Sequence, residues 1–578
     1  MLTRHRKAAF DRRGRQMIPE RVGPDVSDRP ASRRRALRRR AVVGASLFFA
    51  SFLLISYRNY NKGIFYYDEA YNLLEARFIY ESAKRAVGYV ALRAGSRAQA
   101  PAFRDYVKSR GKPDGQYLRY GKPLHTLILA AGLTASAGEL WGPYAAMALM
   151  GAGTAALTFL VGRSLGSRRT GIAAAVLLAG SGYFLNYARE ALAEIDSAFL
   201  YLLSAWIYLP ALFSRQGRGR GWRLFAAGSC AGLAFAANYR WFWIPLVFLT
   251  MEAHQWRATP SRVEGRKGAR VFVARSGAIL SGFFLVLLLF EIPFRCAANY
   301  FRGQGLALPF ETYFEQLARL YFFHPTSQKS FDWAGPQTYF YLIWKLQSPI
   351  VLGLLGAGLW DVLRRGRPAG RLWLVLLSAA PIAFYSFYAL KFARFLSLSL
   401  PFLAMVEARG LEWIVRLSYR RQYNTTRAVR VWSVLLAALA LAQLWRAWPV
   451  FSLRSPYAAV HRDLAALGQR RCLSTEAYIS RWHAGRDNVE FPPDSWTELQ
   501  ARARDGYRYV IVGPLAYYGS GLESLTRLER AETPVKVYPN PAGGYFLYRF
   551  EHNRDFRRTL KGLDFPDPGV VKLYRLPF

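Results

Sequence analysis

A small set of ionisable residues in apolar surroundings carries the chemical potential of this sequence. Asp68 and Glu69 stand side by side in FYYDEAYNLLEARFIYE. Lys122 and His125 lie in LRYGKPLH, and Arg189, Glu190 and Glu194 in YAREALAEID. Arg240 follows Asn238-Tyr239, Glu291 and Arg295 flank an apolar run, and Lys391 and Arg394 fall in ALKFARFLSLSLP. A carboxylate facing a hydroxyl is a general base, and a cluster of cations is a receptor for phosphate. Ionisable groups near membrane depth are costly, so each is a functional candidate. Each also has a plainer reading. Arg240 and Arg394 fit anchors reaching from span ends to the interface. Glu190 and Glu194, four apart, fit one helical face pairing with Arg189 or a neighbouring span. Asp68 fits the N-cap of a helix over DEAYNLLEARFIYE.

Long apolar runs must position these groups. Spanning about 30 Å of hydrocarbon takes roughly 20 apolar residues. Ala41–Tyr57 follows a 40-residue head with 14 basic and 4 acidic residues, and SYRNYNKGIF after it is a poor cleavage site. It reads as a retained signal anchor. Further spans are expected near Trp141–Leu160, Thr170–Tyr187, Asp196–Phe213, Leu224–Tyr239, Trp241–His254, Val271–Pro293, Thr338–Leu363, Leu372–Leu390, Phe395–Ile414 and Val431–Trp448. Arginine-rich patches such as Arg163/Arg168/Arg169 and Arg364/Arg365/Arg367/Arg371 lie between them. Short basic loops stay in the cytoplasm. All the patches fall inside if about 11 spans run from a cytoplasmic amino terminus to an outer carboxyl terminus. Leu124–Leu140 must then lie in the interface or re-enter rather than cross; the competing reading is a true span with another missed elsewhere.

The expected organisation is a basic, disordered cytoplasmic head over 1–40, a membrane domain over 41–449 and a small extracytoplasmic α/β domain over 450–578. Two outer loops, 58–123 and 294–337, interrupt the membrane domain. In the tail, RRCLST, YRYVIVGP and GGYFLYRF read as strands between helical stretches. The fold class is thus mainly α, a polytopic transmembrane helix bundle with an α/β appendage.

The chain has 578 residues, 79 Lys+Arg against 37 Asp+Glu, a net charge of +42, and 52% hydrophobic residues. That apolar mass excludes a disordered chain, and placing the charge in inner loops removes the case for nucleic acid. Three cysteines and seven histidines without HExxH or CxxC spacing give no disulfide scaffold and no dedicated zinc site. Asp68, Glu69 and Glu194 could gather a divalent cation, but their spacing specifies none, and the cofactor stays unknown.

The order of these elements resembles the GT-C membrane glycosyltransferases, in the branch of the protein O-mannosyltransferases and the lipid A aminoarabinose transferases. The family's DE pair is matched by Asp68-Glu69 and its following tyrosine by Tyr71. Its KPPL element is matched by Lys122-Pro123-Leu124 with a single proline, and its REALPD element by Arg189-Glu190-Ala191-Leu192, with Ala193 and Glu194 in place of Pro-Asp. The acid that aminoarabinose transferases carry before KPPL is here Gly121. The resemblance covers about residues 41–410 and implies a polyprenyl-phosphate sugar donor. It implies a glycan, lipid or protein acceptor, and transfer at the outer face of the inner (plasma) membrane, with Asp68 as base beside Glu69. Lys122, Arg240, Lys391 and Arg394 are the candidates for the donor phosphate, with Tyr71, His125, Arg189, Glu190 and Glu194 in support. Tyr66, Tyr67, Tyr71, Tyr300, Phe301 and Trp333 fit sugar-stacking rings or an interfacial aromatic belt. A transporter or flippase of a lipid-linked glycan is the alternative, weakened by polar groups that gather on one face and by a large outer loop after the first span. A non-catalytic scaffold is the third reading.

Overall fold

The computed structural model describes residues 30–60, 62–95, 101–102, 105–106, 109, 121–213, 220–257, 265–303, 312–323, 334–346, 348–365, 368–386, 393–419, 425–514, 523–544 and 569–578. Lys391 and the expected strand GGYFLYRF fall largely or wholly outside them. The architecture is mainly helical. Helix α1 (Pro30–Ser56) ends in a turn that feeds α2 (Tyr67–Gly95). Then come α3 (Pro123–Ala135), α4 (Trp141–Leu165), α5 (Arg168–Gly180), α6 (Gly182–Ala188) and α7 (Ala193–Phe213). The bundle continues through α8 (Arg220–Ala237), α9 (Ile244–Arg257), α10 (Gly265–Gly303) and α11 (Tyr313–Ala318). It closes with α12 (Ala334–Leu346), α13 (Pro349–Arg365), α14 (Pro368–Tyr385), α15 (Leu400–Tyr419) and α16 (Thr426–Ser452).

Among the described residues, four helical stretches are long and apolar enough to cross a membrane: Trp141–Leu165, Ala193–Leu212, Gly268–Cys296 and Thr426–Ala466. A fifth is added if α5 and α6, bent by 67°, count as one span. At 1.5 Å per residue α3 is only about 20 Å long, short of the hydrocarbon thickness. One expected span is corrected. Thr338–Leu363 is not continuous but divides into α12 and α13. Pro349 has no N–H to give the preceding turn and disfavours helical backbone at Ser348, so a new helix starts at the proline. Small residues set the close packing: a Cβ on Gly358 of α13 or Gly410 of α15 would collide with the facing helix backbone.

The carboxyl-terminal part adds α17 (Tyr457–Ala466), α18 (Ala477–Ala484), α19 (Trp496–Arg504) and α20 (Glu523–Ala531) around a five-stranded sheet. Its strands are β1 (Cys472–Ser474), β2 (Val489–Glu490), β3 (Tyr509–Val512), β4 (Lys536–Pro539) and β5 (Val570–Arg575), in the order β2-β1-β3-β5-β4. β1 pairs parallel with β2 and β3, while β5 runs antiparallel to β3 and β4. The parallel pairs are possible because α18 and α19 supply the crossovers. This portion is packed onto α2. The Tyr478 ring of α18 meets Tyr67 at 4.5 Å and Tyr71 at 5.0 Å between centroids, and Arg77 Nη1 donates to the Trp482 carbonyl at 3.0 Å.

Candidate active site

Asp68 and Glu69 occupy the first turn of α2, where the helix dipole favours negative charge. One helix position apart, they point into different surroundings. Asp68 is 38% exposed and accepts a short hydrogen bond from Arg394 Nη2. Glu69 is fully buried. Its Oε1 accepts from the Ala191 N–H at 3.0 Å and lies 3.3 Å from Lys62 Nζ, and its Oε2 accepts from the N–H groups of Phe65 at 3.0 Å and Tyr66 at 3.5 Å.

Arg394 sits in a 3₁₀ turn, Ala393–Leu398, rather than at the start of the expected helix. Tyr183 OH donates to the Ala393 carbonyl and Ser397 Oγ to the Arg394 carbonyl at 2.6 Å, so its backbone is held from both sides. Arg394 Nε also lies 3.6 Å from Glu194 Oε1. Arg240 stands in a second 3₁₀ turn, Tyr239–Trp241, opened by Asn238, whose side chain accepts from the Arg240 N–H at 3.3 Å. Its guanidinium lies 5.2 Å from the Phe395 ring, and Nη1 is buried without a hydrogen-bond partner among the described residues. Lys122, 6% exposed, precedes α3, where Pro123 takes the first helical position at no hydrogen-bond cost. Burial alone would raise the Asp68 carboxyl, but Arg394, then Lys122 and Arg240, pull it down to about 2. Burial lowers the Lys122 ammonium against the pull of Glu194 and Asp68.

The structure thus brings together Asp68, Lys122, Glu194, Arg240 and Arg394. Arg189 and Glu190 face elsewhere. Glu190 and Glu194 do not share a helical face, because 189–192 form a turn between α6 and α7. Arg189 donates to the carbonyls of Ile55 at 2.8 Å and Tyr57 at 2.6 Å, capping the orphan acceptors at the end of α1. Glu190 accepts from Lys62 at 2.5 Å. Burial and the Glu69 charge hold its carboxyl above the usual carboxylate range. His125 Nδ1 lies 2.8 Å from Asp196 Oδ2 and its Nε2 3.3 Å from the Ala191 carbonyl, which also accepts from Asn72 at 3.2 Å. Tyr71 packs against Tyr478. Glu291 pairs with Arg295 at 3.1 Å and accepts from the Phe314 N–H at 2.9 Å, tying α10 to α11. Trp333 lies outside the described residues, and so do the side chains of Tyr300 and Phe301.

Lys62, Asn72 and Asp196 are the site-shaping residues that sequence reasoning missed. Gly121 adopts φ +60°, and a Cβ there would meet Leu320 at 2.9 Å. A carboxylate at this position would be strained. Among the described residues no group of three or more His, Cys, Asp or Glu is placed to hold a metal ion.

Residues 121–262 match the family described as dolichyl-phosphate-mannose-protein mannosyltransferase. No curated protein matches the sequence. The structure is similar to the oligosaccharyltransferase AglB from Archaeoglobus fulgidus in complex with an inhibitory peptide and a dolichol-phosphate, at 12% identity and TM-score 0.50, over 83% of this chain and 72% of that one. The same enzyme tethered to an acceptor peptide with an NVT sequon gives 13% identity and TM-score 0.50, over 84% and 72%. ArnT from Cupriavidus metallidurans bound to undecaprenyl phosphate gives 14% and 0.49, over 92% and 97%. The fold is shared with the oligosaccharyltransferase structures, and residues 121–262 resemble the mannosyltransferase family.

Proposed function

We propose that the chain transfers a sugar from a polyprenyl-phosphate-linked donor to an extracytoplasmic acceptor in a single inverting displacement. The observation that carries this reading is the ion cluster: one partly open carboxylate, Asp68, faces Arg394, Lys122 and Arg240, and Arg240 keeps a buried N–H without a partner among the described residues. Such a group of cations matches a phosphate leaving group, with Arg suited to bidentate contact and Lys to a point charge. As the bond from the sugar's anomeric carbon to phosphate oxygen breaks, the electron pair leaves with the phosphate, where fixed cations stabilise it best. The acceptor oxygen bonds to the same carbon from the opposite face, and its proton passes to Asp68.

The charge arrangement also orders the steps. A carboxylate held near 2 by cations is a weak base. Donor phosphate among Lys122, Arg240 and Arg394 would draw those charges to itself and raise the basicity of Asp68, so donor binds before the acceptor is activated. Glu69 has both oxygens occupied and positions the loop, leaving Asp68 as the reacting acid. The reading places Asp68 on the outer side of the inner membrane, as the basic inner loops require.

The test is transfer in purified membranes supplied with an undecaprenyl-phosphate-linked sugar, comparing wild type with Asp68→Asn. Transfer falls by about a thousandfold or more in the variant while its membrane content is unchanged. Normal transfer by Asp68→Asn would sink the proposal.

A further inference from the structure

Lys62 belongs to no sequence motif, yet it is 2% exposed and lies between two carboxylates from distant segments. Its Nζ is 3.3 Å from Glu69 Oε1 and 2.5 Å from Glu190 Oε2, and 4.4 Å from the centre of the Tyr144 ring. Every element packed around it contributes to the same node. The turn before α2 supplies Lys62 itself and the Gly63 carbonyl, which accepts from Tyr144 OH of α4 at 3.0 Å. Helix α2 supplies Glu69, and the turn before α7 supplies Glu190, with Arg189 beside it acting electrostatically on Glu190.

Two carboxylates without a cation repel each other in a dry interior, and one of them takes up a proton more readily than a free carboxyl does. With Lys62 between them, Glu69 keeps its charge and holds the Ala191 N–H, while Asn72 and His125 hold the Ala191 carbonyl. Residue 191 is thereby fixed from both sides. Three residues further on stands Glu194, facing Arg394, and one residue before Glu69 stands Asp68, facing the same arginine.

We propose that Lys62 is a positioning residue of the transfer reaction: its charge joins the turn before α2 to the turn before α7, and so sets Asp68 and Glu194 against Arg394. It acts through Glu69 and Glu190 and touches no reacting atom. The proposal rests on the glycosyl-transfer reading above, and its test separates the two.

The full-length chain in lipid nanodiscs is titrated with undecaprenyl phosphate by tryptophan fluorescence at pH 5 and pH 8, and thermal melting is recorded at both. Wild type, Lys62→Met, Lys62→Arg and the double variant Lys62→Met/Glu190→Gln are compared. At pH 8 Lys62→Met binds about 100-fold more weakly than wild type, the scale of a small displacement of a charged site. It regains about tenfold at pH 5, where the apposed carboxylates take up a proton and stop repelling. Glu190→Gln in the same chain restores binding at both pH values, and Lys62→Arg stays close to wild type.

Wild-type binding by Lys62→Met at pH 8 overturns the proposal. So does a loss that is equal at both pH values and untouched by Glu190→Gln. A wild-type chain that does not bind undecaprenyl phosphate overturns the glycosyl-transfer reading instead. Melting then judges the node: a deficit of Lys62→Met relative to wild type that is larger at pH 8 than at pH 5, with Glu190→Gln abolishing the difference, supports it, and an equal deficit at both pH values refutes it. If Lys62→Met does not accumulate, accumulation of the double variant supports the node and failure of both refutes it.

Discussion

Asp68 and Glu69 are neighbours of nearly the same chemistry with opposite surroundings. Asp68 is 38% exposed and bound to a cation that a phosphate can claim. Glu69 is fully buried, with backbone N–H groups and Lys62 filling both oxygens. The difference teaches how an active site divides its labour: the group that must change partner during turnover is left few fixed bonds, and the group that holds it is given many. A helical step of about 100° between adjacent residues is enough to send one carboxylate to the cleft and the other into the packed interior.

The sharpest way to break this comparison is to remove each carboxylate in turn and measure folding. Glu69→Ala leaves the N–H groups of Phe65 and Ala191 without their acceptor and Lys62 with one carboxylate in place of two, and losing one partner of a buried pair costs about 3–5 kcal/mol. Its melting temperature should fall steeply, while Asp68→Ala should melt close to wild type. Equal melting of the two variants would erase the distinction.

The cation side comes next. Arg394→Ala removes the guanidinium shared by Asp68 and Glu194, and transfer should fall by about 10²–10³-fold, the cost of losing one fixed electrostatic donor. Arg394→Lys restores the charge but not the fork and should recover only part. Arg394→Ala with full activity would remove Arg394 from the leaving-group side.

Much of this was legible in sequence order. The apolar runs announced the helices; of the succession Asp68-Glu69, Lys122-Pro123-Leu124 and Arg189-Glu190-Ala191-Leu192, Asp68 and Lys122 meet around Arg394 while Arg189 and Glu190 face elsewhere. The partners were not legible. Glu190 looked like a helical companion of Glu194 because i,i+4 spacing is the one geometry a linear pattern encodes. A turn separates them, and Glu190's partner, Lys62, is 128 residues away. Lys62 itself sits in RNYNKGIF, where the only signal was a lone lysine just before an acidic pair in an aromatic stretch. The division of Thr338–Leu363 was written at Ser348-Pro349 but hidden by apolar residues on both sides.

The last effect is set by pH, and it separates the two sides without a substitution in either. The holding side extends along α2 to Arg77, which grips Trp482, next to His483 and its neighbour His461. The two imidazoles are stacked at 5.5 Å, and each Nε2 is buried without a hydrogen-bond partner among the described residues. Burial and the His483 charge push His461 down to about 3, and burial and Arg77 push His483 down to about 4. Both are neutral in the fold and bind protons more readily once unfolded. Stability is therefore complete above about pH 6.5 and is lost as pH falls toward 4, by at most about 1.4 kcal/mol per pH unit for each histidine. Asp68, held near 2, keeps its charge throughout that window. Lowering the pH from 7 to 5 should thus loosen the packing of α18 on α2, seen as faster hydrogen exchange over 457–484, and the variant His461→Phe/His483→Phe should lose that pH dependence. If activity instead falls over this range while exchange at 457–484 stays constant, the titrating group belongs to the Asp68 side, and the division between a reacting carboxylate and a holding one is drawn in the wrong place.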